Sequence, residues 1–139
     1  ILFFLLILVA VTSVGCSIGA DNLSAEQQVN SVFNRLERAY TTTSEDESRT
    51  IISDVAPNGL PERLSRLMAR IQDERLSKEV LEFRIANREI LLTSDTEAVV
   101  TFAVYAKTRN RASGVTQSMI EDDVVCLLAK RGNKWVIVA

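Results

Sequence analysis

Histidine is absent from all 139 residues. The side chain that most often serves as general base, metal ligand and neutral-pH switch is therefore unavailable to this chain. Cysteine occurs twice, as Cys16 in an apolar leader and Cys126 inside a strand pattern, which does not suit a structural disulfide. Charge is missing altogether before Asp21, so the first twenty residues form a class apart. The net charge of −2 is too small to argue for nucleic acid as a partner. No internal repeat, low-complexity segment or inter-domain linker is present. What remains is a chain long enough for one domain with a real core, with about a quarter of its residues charged, as in ordinary globular proteins.

The leader runs apolar without a break from Ile1 to Val11 and then tapers into Thr12-Ser13-Val14-Gly15-Cys16-Ser17. An apolar core followed by small residues is the layout of a secretory signal. Ile1 to Ala20 is also just long enough to span a bilayer, since about 20 apolar residues suffice. The end of the leader resembles the lipobox of bacterial lipoproteins, on Val14-Gly15-Cys16. Ser13 departs from the Leu usual in that family. The resemblance implies a signal peptide over residues 1–15, lipidation of Cys16, and a short tether over residues 16–23. More than one acyl chain is what makes such an anchor firm. Ser17 is the family's usual choice for the outer membrane, which implies its periplasmic face. A plain signal peptide and an uncleaved anchor stay open; all three imply export.

Residues 24–139 read as one domain. Ser24-Ala25-Glu26-Gln27 matches a capping box. Val29, Val32, Phe33, Leu36, Ala39 and Tyr40 follow at helical spacing. The opposite face, with Asn34, Arg35, Glu37 and Arg38, reads as solvated. After Thr41-Thr42-Thr43, Ser44-Glu45-Asp46-Glu47 is a second capping box with acids that complement the helix dipole. A metal site there would need spacing and a glycine that are missing. Ile51, Ile52, Val55 and Ala56 form a short buried face before Pro57-Asn58-Gly59. Pro61 opens a third helix with a stripe of Leu64, Leu67, Met68, Ile71 and Leu76. Its flank of Arg63, Arg66 and Arg70 is either an anion patch or an exposed face with Glu62–Arg66 and Arg70–Glu74 pairs.

From Val80 onward the period changes to two. Strands are expected over Val80–Leu92, Glu97–Lys107, Thr116–Lys130 and Lys134–Val138, an antiparallel meander closed by an Arg131-Gly132-Asn133 hairpin. Alternation puts Leu81, Phe83 and Ile85 on one face. The third strand is expected to bulge near Glu121-Asp122-Asp123. Runs apolar on both faces, such as Val124 to Leu128, imply helices over one face and partial cover or curling at the other.

Three helices and a meander, with Arg38-Ala39-Tyr40-Thr41 closing the first helix and Lys130-Arg131-Gly132-Asn133-Lys134-Trp135 closing the sheet, resemble NTF2-like (cystatin-like, SnoaL-like) domains. The resemblance implies an α+β fold with N-terminal helices packed on a curved four-stranded antiparallel sheet, a cone around a pocket. It allows enzymes, ligand binders and assembly domains alike. Tyr40, Phe83, Tyr105 and Trp135 are the candidate pocket residues, for a small hydrophobic ligand. Catalysis in this family leans on a His–Asp pair, excluded here, or on Tyr with carboxylates. Asp122 or Asp123 with Tyr40 or Tyr105 is therefore the enzymatic alternative, of isomerase, dehydratase or cyclase type. The main expectation is a non-catalytic, lipid-anchored domain without metal or cofactor, binding a small ligand or an envelope protein; a purely structural assembly subunit is the third reading. Lys107, Arg109 and Arg111 would meet anionic head groups or simply guard a strand edge. Cys126 reads as a buried, inert thiol.

Overall fold

The first helix, α1 (Ala25–Thr41), starts where the capping box places it. Ser24 Oγ accepts from the Gln27 backbone at 3.2 Å, and Gln27 Oε1 accepts from the Ser24 backbone at 2.9 Å. Two N–H groups that the helix cannot use are thereby satisfied. The computed structural model describes residues 23–74 and 77–139. The leader with Cys16, the tether as far as residue 22, Leu76 and the Glu74 side chain lie outside the described residues.

The second helix, α2 (Glu45–Val55), is capped by Ser44, whose Oγ accepts from the Glu47 backbone. Glu47 does not complete the box. Its carboxylate accepts from Thr42 Oγ1 at 3.0 Å and pairs with Arg38 at 2.7 Å, tying α2 back to α1. The third helix, α3 (Glu62–Glu74), buries Leu64, Leu67, Met68 and Ile71.

The sheet has the order β1-β2-β3-β4, all antiparallel, with β1 Lys78–Leu92, β2 Glu97–Asn110, β3 Thr116–Arg131 and β4 Lys134–Ile137. It curls into a half-barrel, and the helices fill the concave side. The result is an α+β fold. Phe33 of α1 meets Phe102 of β2 with ring centroids 5.1 Å apart, and both are fully buried. Removing each such side chain from water contributes roughly 1.5–3 kcal/mol.

Three bulges supply the curl. β1 carries an extra residue between Val80 and Glu82 and another between Ala86 and Glu89; β3 carries one opposite Ala103, at Asp122-Asp123. The β3 bulge is where the sequence places it. The two in β1 correct the sequence reading. Leu81 does not share a face with Phe83 and Ile85: it is 37% exposed, while they are buried, and Val80 packs on the core instead. An extra residue reverses the in–out alternation of everything beyond it. Asn87 and Asp123 take left-handed backbone, φ 53° and 54°, a conformation that Asn and Asp tolerate better than other non-glycine residues.

Candidate functional site

The four candidate pocket residues do not converge on one cavity. Tyr40 at the end of α1 and Phe83 of β1 meet at 5.4 Å, both buried, and form the floor of a cleft of about 390 Å³ whose rim includes Thr42, Lys78 and Arg111. Trp135 of β4 lies at the other end of α1 and lines a different cleft, of about 500 Å³. Tyr105 is on the convex side, opposite Ile120, with the Arg84 guanidinium 4.9 Å over its ring. Parity explains the split: Val104 points into the core, so its neighbour Tyr105 points out.

Trp135 is held by a relay. Its Nε1–H donates to Gln28 Oε1 at 3.2 Å, and Gln28 Nε2 donates to the Leu23 carbonyl at 2.9 Å. The last strand is thereby tied to the start of the domain. Beside it, Arg35 of α1 and Lys134 of β4 both pair with Asp54 of α2.

The acids offered for catalysis stand on the β3 bulge. Asp122 and Asp123 are exposed, and what the bulge presents to α3 is their backbone. Arg63 Nη1 donates to the Asp123 carbonyl at 2.7 Å; its Nη2 donates to the Asp122 carbonyl at 2.9 Å and to Glu121 Oε1 at 2.8 Å. The guanidinium thus satisfies carbonyls that the bulge removes from the ladder. Arg63 is therefore engaged within the fold, while Arg66 keeps a loose pair with Glu62 at 3.9 Å. On the convex face Lys107 stands opposite Glu82, and Arg109 is 3.9 Å from Glu79; Arg111 lies in the turn beyond β2. Cys126 is fully buried and free, and burial pushes its thiol up to about 12. Among the described residues no group of three or more Cys, Asp or Glu side chains is placed to hold a metal, and no helix is long and apolar enough to cross a membrane.

The sequence reading missed Arg88. The β1 bulge swings it from the convex face to the concave one, under α1. Its side chain is 13% exposed and pairs with Glu37 at 2.9 Å. It also donates to the Ile85 carbonyl at 2.8 Å, to Asn30 Oδ1 at 2.8 Å and to Asn34 Oδ1 at 2.6 Å, and lies 5.9 Å from the centroid of the Phe33 ring. Glu37 in turn accepts from the Ile85 backbone at 2.6 Å. The helix face read as solvated is here an ionic seam between α1 and β1. The only signal in the sequence was Asn87, a residue depleted in strands, inside an otherwise strand-like run.

The other unexplained feature is apolar. On the convex face Leu91, Val99 and Leu127 form one cross-strand row, with Thr101 and Val125 in the next. Leu91, Ile120, Val125 and Leu127 are 64%, 61%, 50% and 43% exposed.

No family model matches the chain, and no curated protein does. Among solved structures, the crystal structure of a conserved protein from Planctomyces limnophilus superposes with a TM-score of 0.58 at 15% identity, over 81% of this chain and 89% of that one. A SEC-C motif containing protein from Rhodopseudomonas palustris, solved in solution, aligns over 82% of this chain and 88% of its own at 17% identity, with a TM-score of 0.34. The first likeness is one of fold and extends across nearly the whole described domain.

Proposed function

We propose that this chain is an exported, lipid-anchored NTF2-like domain that acts without catalysis, by assembly through the convex face of its sheet. The observation that carries the reading is the contrast between the two faces. The concave side is filled by Phe33, Leu36, Leu64, Met68 and Phe102. The convex side bares Leu91, Ile120, Val125 and Leu127, with Val99 half-buried beside them, and among the described residues no helix lies over them. Leu91, Val99, Leu127 and Val125 form an apolar patch, with Ile120 apart beyond the exposed Asp122 and Asp123; a patch of that kind marks an interaction surface. The occupant is a second copy of this chain. The margin of the patch carries both signs, Glu82, Arg84 and Glu89 on β1 beside Lys107 and Arg109 on β2, so it can meet itself without like-charge repulsion. Small residues at its centre, Thr101 and Ala103, allow sheets to approach to the usual ~10 Å.

Sedimentation velocity on the purified chain, with Leu127→Arg as the variant, tests this. A dimer that the substitution converts to monomer supports the reading. A wild-type monomer at high concentration, or a dimer indifferent to Leu127→Arg, overturns it. The anchor is tested separately, by mass spectrometry of membrane-fraction protein: acylation on Cys16 supports it, and an unmodified Cys16 still joined to its leader ends it.

A second reading has its own observation. The cleft over the buried Tyr40–Phe83 pair has a volume of about 390 Å³, above the ~300 Å³ that sites for a small hydrophobic ligand usually need. Ligand-dependent protection of the wild type that Phe83→Ala abolishes, with Leu127→Arg unaffected, would favour it.

A further inference from the structure

We infer that the cleft between α1 and the β3–β4 hairpin docks on the phosphate head groups of the anionic bilayer to which Cys16 is anchored. The inference rests on the lipid-anchor reading. Leu23, the first described residue, lines this cleft. It lies seven positions beyond Cys16, and such a segment spans at most about 25 Å fully extended. The anchored end of the domain is therefore held within reach of the membrane surface, and the cleft opens at that end.

Its chemistry is cationic. Arg35, Lys130 and Lys134 line it, from α1, β3 and β4. The carboxylate beside them is Asp54, and it is shared between Arg35 and Lys134, so two cations divide one negative charge. Lys130 has no ion-pair partner among the described residues. Glu26, the acid in the first turn of α1, lies on the opposite side of the helix from Gln28, Ser31 and Arg35, because two residues turn the helix by about 200°. Glu97 projects to the convex face, paired opposite Ala129. Ser31 and Asn133 add neutral donors that suit phosphate oxygens, and Leu23 and Val32 give an apolar wall. Its volume of about 500 Å³ takes a phosphodiester head group. Basic residues within a Debye length of an anionic leaflet are attracted to it.

Trp135, the single tryptophan, lines the same cleft and reports on it. The experiment reconstitutes the full lipidated chain into vesicles of phosphatidylcholine, with or without phosphatidylglycerol, each containing a trace of lipid bearing a head-group nitroxide. Quenching of Trp135 is expected to be at least twofold stronger in the anionic vesicles, to fall toward the neutral level at high salt, and to be lost in Lys130→Glu but kept in Lys130→Arg. Equal quenching in both vesicles, or full quenching in Lys130→Glu, overturns the proposal. If inorganic phosphate alone changes Trp135 emission while lipid composition has no effect, the cleft is a free-phosphate site and the membrane assignment falls. Vesicle flotation keeps the anchor separate: wild type that floats in both lipids while quenching equally has an anchor without docking. The same lipid comparison on Cys16→Ser reads docking without the anchor. Unchanged thermal unfolding of Lys130→Glu establishes that the variant is folded.

Discussion

Replacing Arg88 by Met is the most informative perturbation of the fold. Methionine preserves much of the apolar stem beside Phe33 and removes the guanidinium. The Asn30 and Asn34 amides lie at the helix surface and recover water. The Ile85 carbonyl and Glu37 do not recover as fully, since the Glu37 side chain is only 28% exposed and its pair with Arg88 is shielded by α1. Removing one partner of a fully buried pair costs roughly 3–5 kcal/mol, and an exposed pair costs under about 1. The burial of this pair lies nearer the first case, which puts the loss at about 2–3 kcal/mol. For a domain of this size that lowers the melting temperature by about 10 °C.

The assay is urea unfolding followed by Trp135 fluorescence, on a double-mutant cycle with Glu37→Gln. Glutamine keeps an oxygen that can accept from the Ile85 N–H and removes only the charge. The two substitutions are therefore expected to be less than additive, by about 1–2 kcal/mol. Arg88→Met within about 0.5 kcal/mol of wild type would mean the pair behaves as a surface one. Strict additivity would mean that Arg88 acts through its hydrogen bonds to α1 and not through Glu37. Either outcome refutes the account of an ionic seam.

Three further outcomes are expected. Asn87→Val should cost about 1–2 kcal/mol, because a β-branched residue at φ 53° is strained, whereas Asn87→Gly should be nearly neutral; chemical denaturation of both variants checks the contrast. Arg63→Ala should cost about 1 kcal/mol and should raise hydrogen exchange locally, at the β3 bulge, since the exposed carbonyls it leaves can turn to water. Burial raises the Cys126 thiol from 9.0 to about 12, so the folded state holds that proton where the unfolded chain releases it. Its contribution is present below pH 9 and is lost as pH rises toward 12. Cys126→Val should therefore flatten the fall of unfolding free energy over that window, and Cys126 should resist thiol reagents until the protein unfolds.

Much of the architecture was legible because it follows from period and punctuation. Ser24 and Gln27 announce the start of α1, the apolar stripe from Val29 to Tyr40 gives its buried face, and Gly132-Asn133 closes the last hairpin. Asp122-Asp123, two polar residues in a row within a strand, betrayed the bulge of β3. The bulges of β1 were hidden. Leu81 is as apolar as its neighbours, so a strict alternation reads equally well through it. That error propagates: one extra residue at Asn87 sends Arg88 inward and makes Glu37, read as solvated, its partner. Tyr105 was misassigned for a related reason. A run apolar on both faces does not say which of Val104 and Tyr105 points to the helices; only the burial of the whole cross-strand row does.

The bulges also explain why this fold has one filled face and one bare one. Each adds a residue to one strand and none to its partner, so the sheet must bend and twist there. Bending toward the helices narrows the concave side until Phe33, Phe102 and Met68 fill it. At the β3 bulge Arg63 takes up the Asp122 and Asp123 carbonyls, while Arg88, turned inward by the bulge of β1, reaches the Ile85 carbonyl on the free edge of that strand. Each arginine then ties the bent strand to a neighbouring element, Arg88 to α1 and Arg63 from α3. The three helices are spent on the inside of the curve. The outside keeps β-branched and leucine residues that suit a strand and that no other described element covers. The apolar convex face is thus a consequence of how the sheet is bent, and it is the surface on which the assembly reading stands or falls.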